Sequence, residues 1–327
     1  MSNRILTLLE EGGEQYVSGE RLSRELGISR TAIWKQIRKL EAQGYRIEAS
    51  PRLGYRLTGR PSRMTMVELL GNLQGTTLVS GIKLFETTDS TQNIAHKLAE
   101  EGAEEGTLVI AEQQTSGRGR MGRAWVSPAG KGIYMSMVLR PSLPLQFAPQ
   151  LTLLAAVALC RALKELVPVE IGIKWPNDLL INGKKISGIL LESSAEDERI
   201  RHVIMGIGIS VNLTIEDYPS ELAEIATSLR IASGEIVDRA SVVGAFVKQF
   251  EHLYRLYLKE GFATIQSLWE ALSVTLHKPA KLMTPGGVVE GVPVALTESG
   301  ALLVRLADGS ELPVFSAEAV RPLDSRS

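Results

Sequence analysis

The chain has 327 residues, of which 44% are hydrophobic and 22% are charged, and its formal net charge is −1. These values are ordinary for globular proteins, and the length predicts two or three domains. The single cysteine, Cys160, excludes an intrachain disulfide framework and a cysteine-based metal site, and its apolar neighbours predict a buried thiol. No apolar run reaches the roughly 18 residues that span a bilayer, and the first residues lack the apolar core of a signal peptide. We therefore expect a cytoplasmic protein with no membrane partner.

The charge is distributed unevenly along the chain. Residues 1–63 carry 12 Lys and Arg against 7 Asp and Glu, whereas the remainder is mildly acidic. A basic segment followed by an acidic body is typical of a DNA-binding module joined to another domain. A short linker, residues 59–62, separates the two.

The first segment has the pattern of a helix-turn-helix preceded by one more helix. Ser18 can cap a second helix that runs through Leu26, and Ser29 can cap a third that runs to about Ala42, with Gly27 in the turn between them. The third helix turns one apolar face inward: Ile33, Ile37 and Leu40. Its opposite face is basic and aromatic, and it consists of Arg30, Thr31, Trp34, Lys35 and Arg38. A helix of this kind is typical of one that enters the major groove of DNA.

Residues 45–57 alternate with period two around a turn at 51–54, which predicts a β-hairpin wing. Arg52 at its tip can reach a DNA phosphate. A solvated helical hairpin used for protein contacts is the alternative for this segment. Trp34 could contact DNA or pack against the wing.

The second segment begins with a strand that ends in Asp89 and is followed by a helix from about Asn93. Ser90, Thr91 and Gln92 lie between them. These side chains can cap the helix, or they can exchange hydrogen bonds with a small polar ring.

A loop of alternating glycine and arginine follows the next strand. It contains Gly117, Arg118, Gly119, Arg120, Gly122 and Arg123, and Trp125 follows it. Glycines let the backbone approach a phosphate, and guanidinium groups supply forked donors for its oxygens. The loop lacks the Walker pattern, and we expect it to be mobile when empty and to order over an anion.

Two further motifs surround a predicted hairpin turn at Asn182-Gly183. Asn177 and Asp178 lie at a strand exit, where binding groups are common. Lys184 or Lys185 begins the returning strand. Such a lysine is usually solvated, but its position across the hairpin from Asn-Asp favours a catalytic role.

Gly206 and Gly208 alternate on the last strand of this segment and leave one of its faces bare. Either a flat ligand or a bulky neighbour can lie on that face. The third segment, from about residue 270, has short apolar runs separated by turns, which predicts a small β-barrel.

The Gly-Arg loop, Lys-Trp-Pro-Asn-Asp at 174–178 and Lys-Ile-Ser-Gly-Ile-Leu-x-Glu at 185–192, in this order, resemble the bifunctional biotin–protein ligase and biotin-operon repressor family. The resemblance covers essentially the whole chain. It implies an α+β protein with three domains: a winged helix-turn-helix (1–63), a central mixed-sheet α/β ligase domain of the class II synthetase type (64–269) and a small SH3-like β-barrel (270–327).

The resemblance also implies a two-step reaction. Biotin and ATP, with Mg²⁺ as counter-ion, give biotinyl-5′-AMP, and the biotinyl group then moves to a lysine of a biotin carboxyl carrier domain. Biotin and ATP are substrates, and no tightly bound prosthetic group is expected. The implied partners are operator DNA and, when biotinyl-AMP is bound, a second copy of the chain.

The resemblance implies a role for each site residue. The catalytic set is Arg118, Arg120, Lys185 and Asp178, where Asp178 either binds metal or accepts a proton from the acceptor lysine. The biotin-binding set is Ser90, Thr91, Gln92, Gln114, Arg118, Gly119, Arg120, Lys185, Gly188, Gly206 and Gly208. The nucleotide-binding set is Arg120, Arg123, Trp125, Asn177, Asn212 and Arg321.

The chain departs from the family pattern at three places. Gln92 stands where many members have Asn, and Ser210 stands where Asn is expected. The segment 214–227 lacks the tryptophan that some members fold over adenine, and Ile225 is near that place. Three alternatives remain: a biotin-sensing transcription factor without catalysis, a lipoate ligase, and a biotin ligase whose N-terminal domain does not regulate transcription.

Overall fold

The computed structural model describes residues 2–42, 44–59, 63–317 and 319–322, without the side chains of a few of them near the termini and the linker. Residues 60–62, most of the predicted linker, lie outside this description. The chain divides into two compact units, residues 1–74 and 75–327.

The first unit has the predicted helix-turn-helix and wing. Its elements are α1 (Ser2–Glu11), α2 (Gly19–Leu26), α3 (Arg30–Ala42), β1 (Arg46–Ser50), β2 (Gly54–Gly59) and α4 (Met66–Asn72). The Ser18 hydroxyl accepts the Arg21 N–H at 3.1 Å, and Gly27 ends α2 with a φ of 65°, which glycine adopts without strain. The predicted inward face of α3 is confirmed, since Ile33, Ile37 and Leu40 are buried.

The first unit continues beyond the expected boundary at residue 63. Thr65 caps α4 in a reciprocal capping box with Glu68, and the Tyr45 hydroxyl lies 3.0 Å from the Thr65 hydroxyl. Val67 packs against the core formed by α1, α2 and α3. These contacts tie α4 to the first unit, although the sequence pattern assigned it to the second.

The second unit is built on a seven-stranded mixed sheet. Its elements up to the last long helix are β3 (Gly81–Thr88), α5 (Thr91–Glu100), β4 (Thr107–Gln114), β5 (Ile133–Leu139), α6 (Ala148–Leu166), β6 (Gly172–Lys174), β7 (Asp178–Ile181), β8 (Lys184–Glu196), β9 (Arg199–Ile209), α7 (Leu229–Ser233), α8 (Arg239–Glu260) and α9 (Ala263–Leu272). The strand order is β3-β4-β5-β9-β8-β7-β6, in which β3 and β4 are parallel and the other neighbours antiparallel.

Helix α6 is the core helix of this unit and is packed against α8 and α9. By length and composition, residues Leu145–Leu166 could cross a membrane, but 67% of that window is buried within the protein. Cys160 lies on this helix and is buried, as its apolar neighbours predict. Burial on this scale is typical of a helix at the centre of a globular domain.

The C-terminal segment forms a separate antiparallel sheet of five strands: β10 (Ala280–Thr284), β11 (Gly287–Leu296), β12 (Leu302–Arg305), β13 (Glu311–Val314) and β14 (Ala319–Pro322). Their order is β13-β12-β11-β10-β14. An antiparallel β-domain is therefore confirmed, whereas its closure into an SH3-like barrel stays a prediction.

Candidate active site and DNA-binding face

A cavity of about 820 Å³ opens in the second unit beside the central sheet. Nearly all of the predicted active-site residues line it: Ser90, Thr91, Gln92, Gln114, Arg118, Gly119, Arg120, Arg123, Trp125, Asn177, Asp178, Lys185, Gly188, Gly206 and Gly208. Residues that are more than 100 positions apart in the sequence therefore meet at one site.

The floor of the cavity is a bare patch of sheet. Gly188 of β8 pairs directly with Gly208 of β9. A Cβ on Gly208 would lie 2.4 Å from the Trp125 indole, and one on Gly206 would lie 2.4 Å from Oε1 of Gln92. The sequence left open whether a flat ligand or a bulky neighbour covers these glycines. In the described residues, Trp125 and Gln92 are close neighbours that lie directly on the strand.

Polar side chains at the start of α5 form a connected network. Gln114 Oε1 accepts the Thr91 N–H at 2.8 Å, and the Thr91 hydroxyl lies 2.9 Å from the Ser136 hydroxyl. Ser136 donates to Gln92 Oε1 at 2.9 Å. Ser90 caps α5. The helix starts at Thr91, two residues before the predicted start, because the Ser90 cap fixes its first turn. The hydroxyls and amides thus serve the fold and also face the cavity.

Ser136 was not predicted as a site residue. It lies in the apolar strand β5 and is fully buried. A lone serine in such a strand is the one signal that could have identified it, because a buried hydroxyl needs a partner.

The glycine–arginine loop, residues 117–123, folds as a tight hairpin. Gly119 N–H donates to the Arg123 carbonyl at 2.7 Å, and Trp125 N–H donates to the Gly117 carbonyl at 2.8 Å. Arg120 Nη1 donates to Asn177 Oδ1 at 3.2 Å. Burial lowers the pKa of the Arg120 guanidinium, which the nearby Asp178 carboxylate partly offsets. The hairpin therefore carries a desolvated cation into the cavity.

The three arginines of this loop have different surroundings. Arg123 is exposed, Arg120 is partly buried beside Asn177, and Arg118 forms an ion pair with Glu192 at 3.0 Å. The sequence pattern treats them alike as donors to one anion, whereas the structure already pairs Arg118 with a carboxylate of the protein.

The predicted hairpin turn at Asn182-Gly183 is confirmed by φ values of 48° and 78°. It brings Lys185 of β8 beside Asp178 of β7, and Nζ lies 2.6 Å from Oδ1. The Lys185 ammonium also lies 5.5 Å from the centroid of the Trp125 ring. The neighbouring Lys184 instead donates to the Ala223 carbonyl at 3.3 Å. The structure therefore distinguishes the two lysines that the sequence left open.

The segment 214–227 supplies a further wall of the cavity, with Tyr218, Leu222, Ile225 and Ala226. Its end pairs with β8, since Lys185 N–H donates to the Ile225 carbonyl at 2.8 Å. The Ile225 side chain is 60% exposed. Burial raises the pKa of Tyr218 to about 12, so that its hydroxyl stays protonated and donates to the Thr227 carbonyl. Ser210, the other departure from the family pattern, also lines the cavity.

Two further residues, Asn212 and Arg321, are predicted nucleotide contacts. The Asn212 amide donates to the Val237 carbonyl at 2.8 Å and accepts the Val237 N–H at 2.9 Å, and Asn212 is not among the described lining residues. The side chain holds the segment before α8, and its role as a nucleotide contact stays a prediction. The Arg321 side chain lies outside the described part of the chain, although Ala317 and Val320 line the cavity.

In the first unit, all six predicted DNA-contacting residues are exposed: Arg30, Thr31, Trp34, Lys35, Arg38 and Arg52. Trp34 is 50% exposed and carries the Arg38 guanidinium 5.4 Å from its ring centroid. Arg30 and Arg38 also form exposed ion pairs with Glu20 and Glu41, which stabilise little. The outer face of α3 is thus an accessible basic and aromatic surface.

Comparison with known proteins gives matches along the whole chain. Residues 84–210 match the biotin/lipoate A/B protein ligase family, residues 2–56 an HTH domain, and residues 278–320 the biotin protein ligase C terminal domain. The bifunctional ligase/repressor BirA of Bacillus spizizenii is 44% identical over 314 residues, which are 96% of each chain. Its counterpart of Escherichia coli is 29% identical over 96% of this chain and 95% of the relative.

A solved structure agrees with these matches. The biotin protein ligase from Aquifex aeolicus in complex with biotin and ATP superimposes with a TM-score of 0.64 at 30% identity, over 75% of this chain and 100% of that one. The family matches, the site geometry and the exposed face of α3 agree with one another. The chain belongs to the family of bifunctional biotin ligase/repressors.

Proposed function

We propose that this chain is an ATP-dependent biotin–protein ligase that also represses transcription of biotin genes. The observation that carries the ligase half is the convergence of Arg120, Lys185 and Asp178 at one end of a glycine-floored cavity. Relatives named biotin–[acetyl-CoA-carboxylase] ligase, such as that of Paracoccus denitrificans at 36% identity, support the reaction. We place the protein in the cytoplasm, where ATP and carrier domains occur.

The register of the sheet supports one direction for biotin in the cavity. Gln92 lies against Gly206, Trp125 against Gly208, and Gly208 pairs with Gly188, which in turn pairs with Asp178. The polar ring of biotin would bind at the Gln92 end, among hydroxyls and amides. Its apolar tail would run past Trp125 along the glycines, and its carboxylate would reach Lys185.

The first step joins two anions and needs cations at the point of contact. The biotin carboxylate attacks the α-phosphorus of ATP; the new C–O–P bond forms as the α–β anhydride bond breaks and pyrophosphate leaves. Arg120 and Lys185 would lower the repulsion between carboxylate and phosphate, and the partial burial of both side chains would strengthen this effect. Lys185 must leave Asp178 to do so.

In the second step the amine of the acceptor lysine attacks the acyl carbon of biotinyl-AMP. An amide bond forms, and AMP leaves with the electrons of the acyl–oxygen bond. The incoming ammonium must first lose a proton, and Asp178, which lines the cavity, would accept it.

Mg²⁺ would enter as part of the substrate, bound to ATP. Among the described residues no group of three His, Cys, Asp or Glu side chains could hold a metal ion. Asp178, the predicted metal ligand, already faces the Lys185 ammonium. Mg²⁺ commonly takes one or two carboxylates together with substrate phosphates, so Asp178 would serve at most as one ligand.

Incubation with biotin, ATP, Mg²⁺ and a purified biotin carboxyl carrier domain tests the ligase proposal. Biotin should appear on the carrier domain, and omission of ATP should prevent it. Lipoate in place of biotin addresses the lipoate-ligase alternative, and we expect no transfer. Absence of product with biotin would overturn the proposal.

The repressor half rests on the six exposed side chains of α3 and the wing. We propose that biotinyl-AMP, held when acceptor is scarce, favours a homodimer whose two winged helices match a two-fold symmetric operator. Gel-shift binding to DNA upstream of biotin genes should strengthen when biotin and ATP are added. Equal affinity in both conditions would favour the alternative, a ligase that does not regulate transcription.

A further inference from the structure

Glu192 closes the motif that begins at Lys185, yet it has no part in the reaction described above. Its carboxylate accepts two contacts from Arg118 Nη2, at 3.0 and 3.3 Å, and one from His96 Nε2 at 3.1 Å. The side chains of Glu192 and Arg118 are each 33% exposed. A carboxylate whose two oxygens accept from one guanidinium nitrogen, and which also accepts from an imidazole, is held in one geometry.

The Arg118 guanidinium is held by a second element as well. Its Nη1 donates to Asn93 Oδ1 on α5, and Asn93 donates in turn to Asp89 at 2.7 Å. Arg118 therefore joins the glycine–arginine loop to both α5 and β8. Burial raises the pKa of the Glu192 carboxyl, but hydrogen bonds from Gln92, Arg118 and His96 outweigh it and bring the pKa below its ordinary value. Glu192 is thus anionic, and its negative charge balances the positive charge of Arg118.

We infer that the Arg118 side chain is a positioning group, and that Glu192, supported by His96, anchors it to the scaffold. The inference rests on the proposed function, because it assigns a task within the same loop. The backbone of Arg118 forms a bridge with Ala124, and the same hairpin carries Trp125. Anchoring Arg118 therefore holds Trp125 and the biotin-binding edge of the loop in place. Contact with the phosphates then falls to Arg120 and Arg123.

The variants Glu192→Gln, Arg118→Ala and their double mutant test the inference in steady-state kinetics with biotin and ATP varied separately. Glu192→Gln keeps the shape and removes the charge. It should raise the KM for biotin by roughly tenfold, the range of a lost charged hydrogen bond, with a much smaller change in kcat. Arg118→Ala should act in the same direction, and the double mutant should equal Arg118→Ala alone, because both substitutions break one contact.

The two roles of Arg118 predict opposite results for ATP. If its side chain bound phosphate, Glu192→Gln would release it for that task and leave the KM for ATP unchanged or lower, while Arg118→Ala would raise it. That pattern, or additive effects on the KM for biotin, would overturn the inference. His96→Leu, which withdraws the second support of Glu192, should raise the KM for biotin in the same direction by a smaller factor.

A matched control is Glu101→Gln at the end of α5. It removes an exposed ion pair with Lys97 and should leave both KM values unchanged. Thermal unfolding of each variant separates loss of the fold from loss of binding. The proposed function fails separately, when the unmodified chain makes no biotinylated product. The inference alone fails when Arg118→Ala impairs biotin binding and Glu192→Gln does not.

Discussion

The Lys185 ammonium lies 2.6 Å from the Asp178 carboxylate across a two-residue hairpin turn, and both side chains line the cavity. The contact is an ion pair between groups that the reaction would use separately. Each neutralises the other in this arrangement. An anionic substrate that replaces Asp178 as the partner of Lys185 would free the Asp178 carboxylate to meet another cation, such as the acceptor ammonium.

Replacement of Lys185 by alanine should lower the rate of biotinyl-AMP formation by about 10² or more, because a cation aimed at developing negative charge is lost. Pyrophosphate exchange into ATP in the presence of biotin measures this step alone. The control is Lys184→Ala, since Lys184 bonds a carbonyl on the neighbouring segment. Normal exchange by Lys185→Ala would remove the assignment.

Replacement of Gly208 by alanine should weaken biotin binding, because the new methyl group would lie 2.4 Å from the Trp125 indole and displace it. Such overpacking costs about 1–3 kcal/mol. We expect the KM for biotin to rise by roughly tenfold or more. Gly81→Ala is the control, since a Cβ there meets no atom within 4 Å. Equal biotin affinity in the two variants would show that the close packing has no part in binding.

Asp217 should make folding stability depend on pH. Burial raises the pKa of its carboxyl, but hydrogen bonds from Lys131 and Thr214 outweigh this and lower the pKa below its ordinary value. A group with a lowered folded-state pKa stabilises above its unfolded pKa of about 4, and that stabilisation disappears as the pH falls through the folded value.

The variant Asp217→Asn should therefore unfold about 2–4 °C lower than the parent chain at neutral pH, if the pair contributes about 1 kcal/mol. The difference should shrink as the pH falls below about 4. Thermal unfolding at several pH values measures it. Glu221→Gln, at an exposed position of the same segment, is the control variant, and a pH-independent difference for Asp217→Asn would contradict the prediction.

Replacement of Lys35 by alanine should weaken DNA binding similarly for all sequences and reduce the slope of log affinity against log salt by about 1, as expected for one lost phosphate contact. Gel-shift titrations at several salt concentrations give both values. Arg4→Ala, on the exposed side of α1, is the control. An unchanged salt slope for Lys35→Ala would indicate that this side chain does not contact phosphate.

Local patterns in the sequence predict much of this structure. The helix caps at Ser18 and Ser90, the inward face of α3 and the turn at Asn182-Gly183 depend on neighbours within a few residues. The cavity residues were identified through motifs that keep fixed spacing within single strands and loops. Their convergence follows from the sheet register.

The sequence patterns do not predict which side chains of distant segments contact each other. The partner of Arg118 is Glu192, 74 positions away, and the partners of Asn212 lie in the segment before α8. The contacts of α4 with the first unit, through Tyr45 and Val67, also join segments that are distant in the sequence. Side chains that hold two elements together carry little local signal, since their residue types are common on any surface.

The cavity wall extends from Ser90 to Val320, so its lining includes residues from both the central sheet and the C-terminal segment. A nascent chain has the floor of the site long before it has the whole wall. Complete binding must therefore wait until Val320 has left the ribosome and β14 has joined its sheet. Fragments that end before Val320 would carry the helix-turn-helix without this part of the cavity wall.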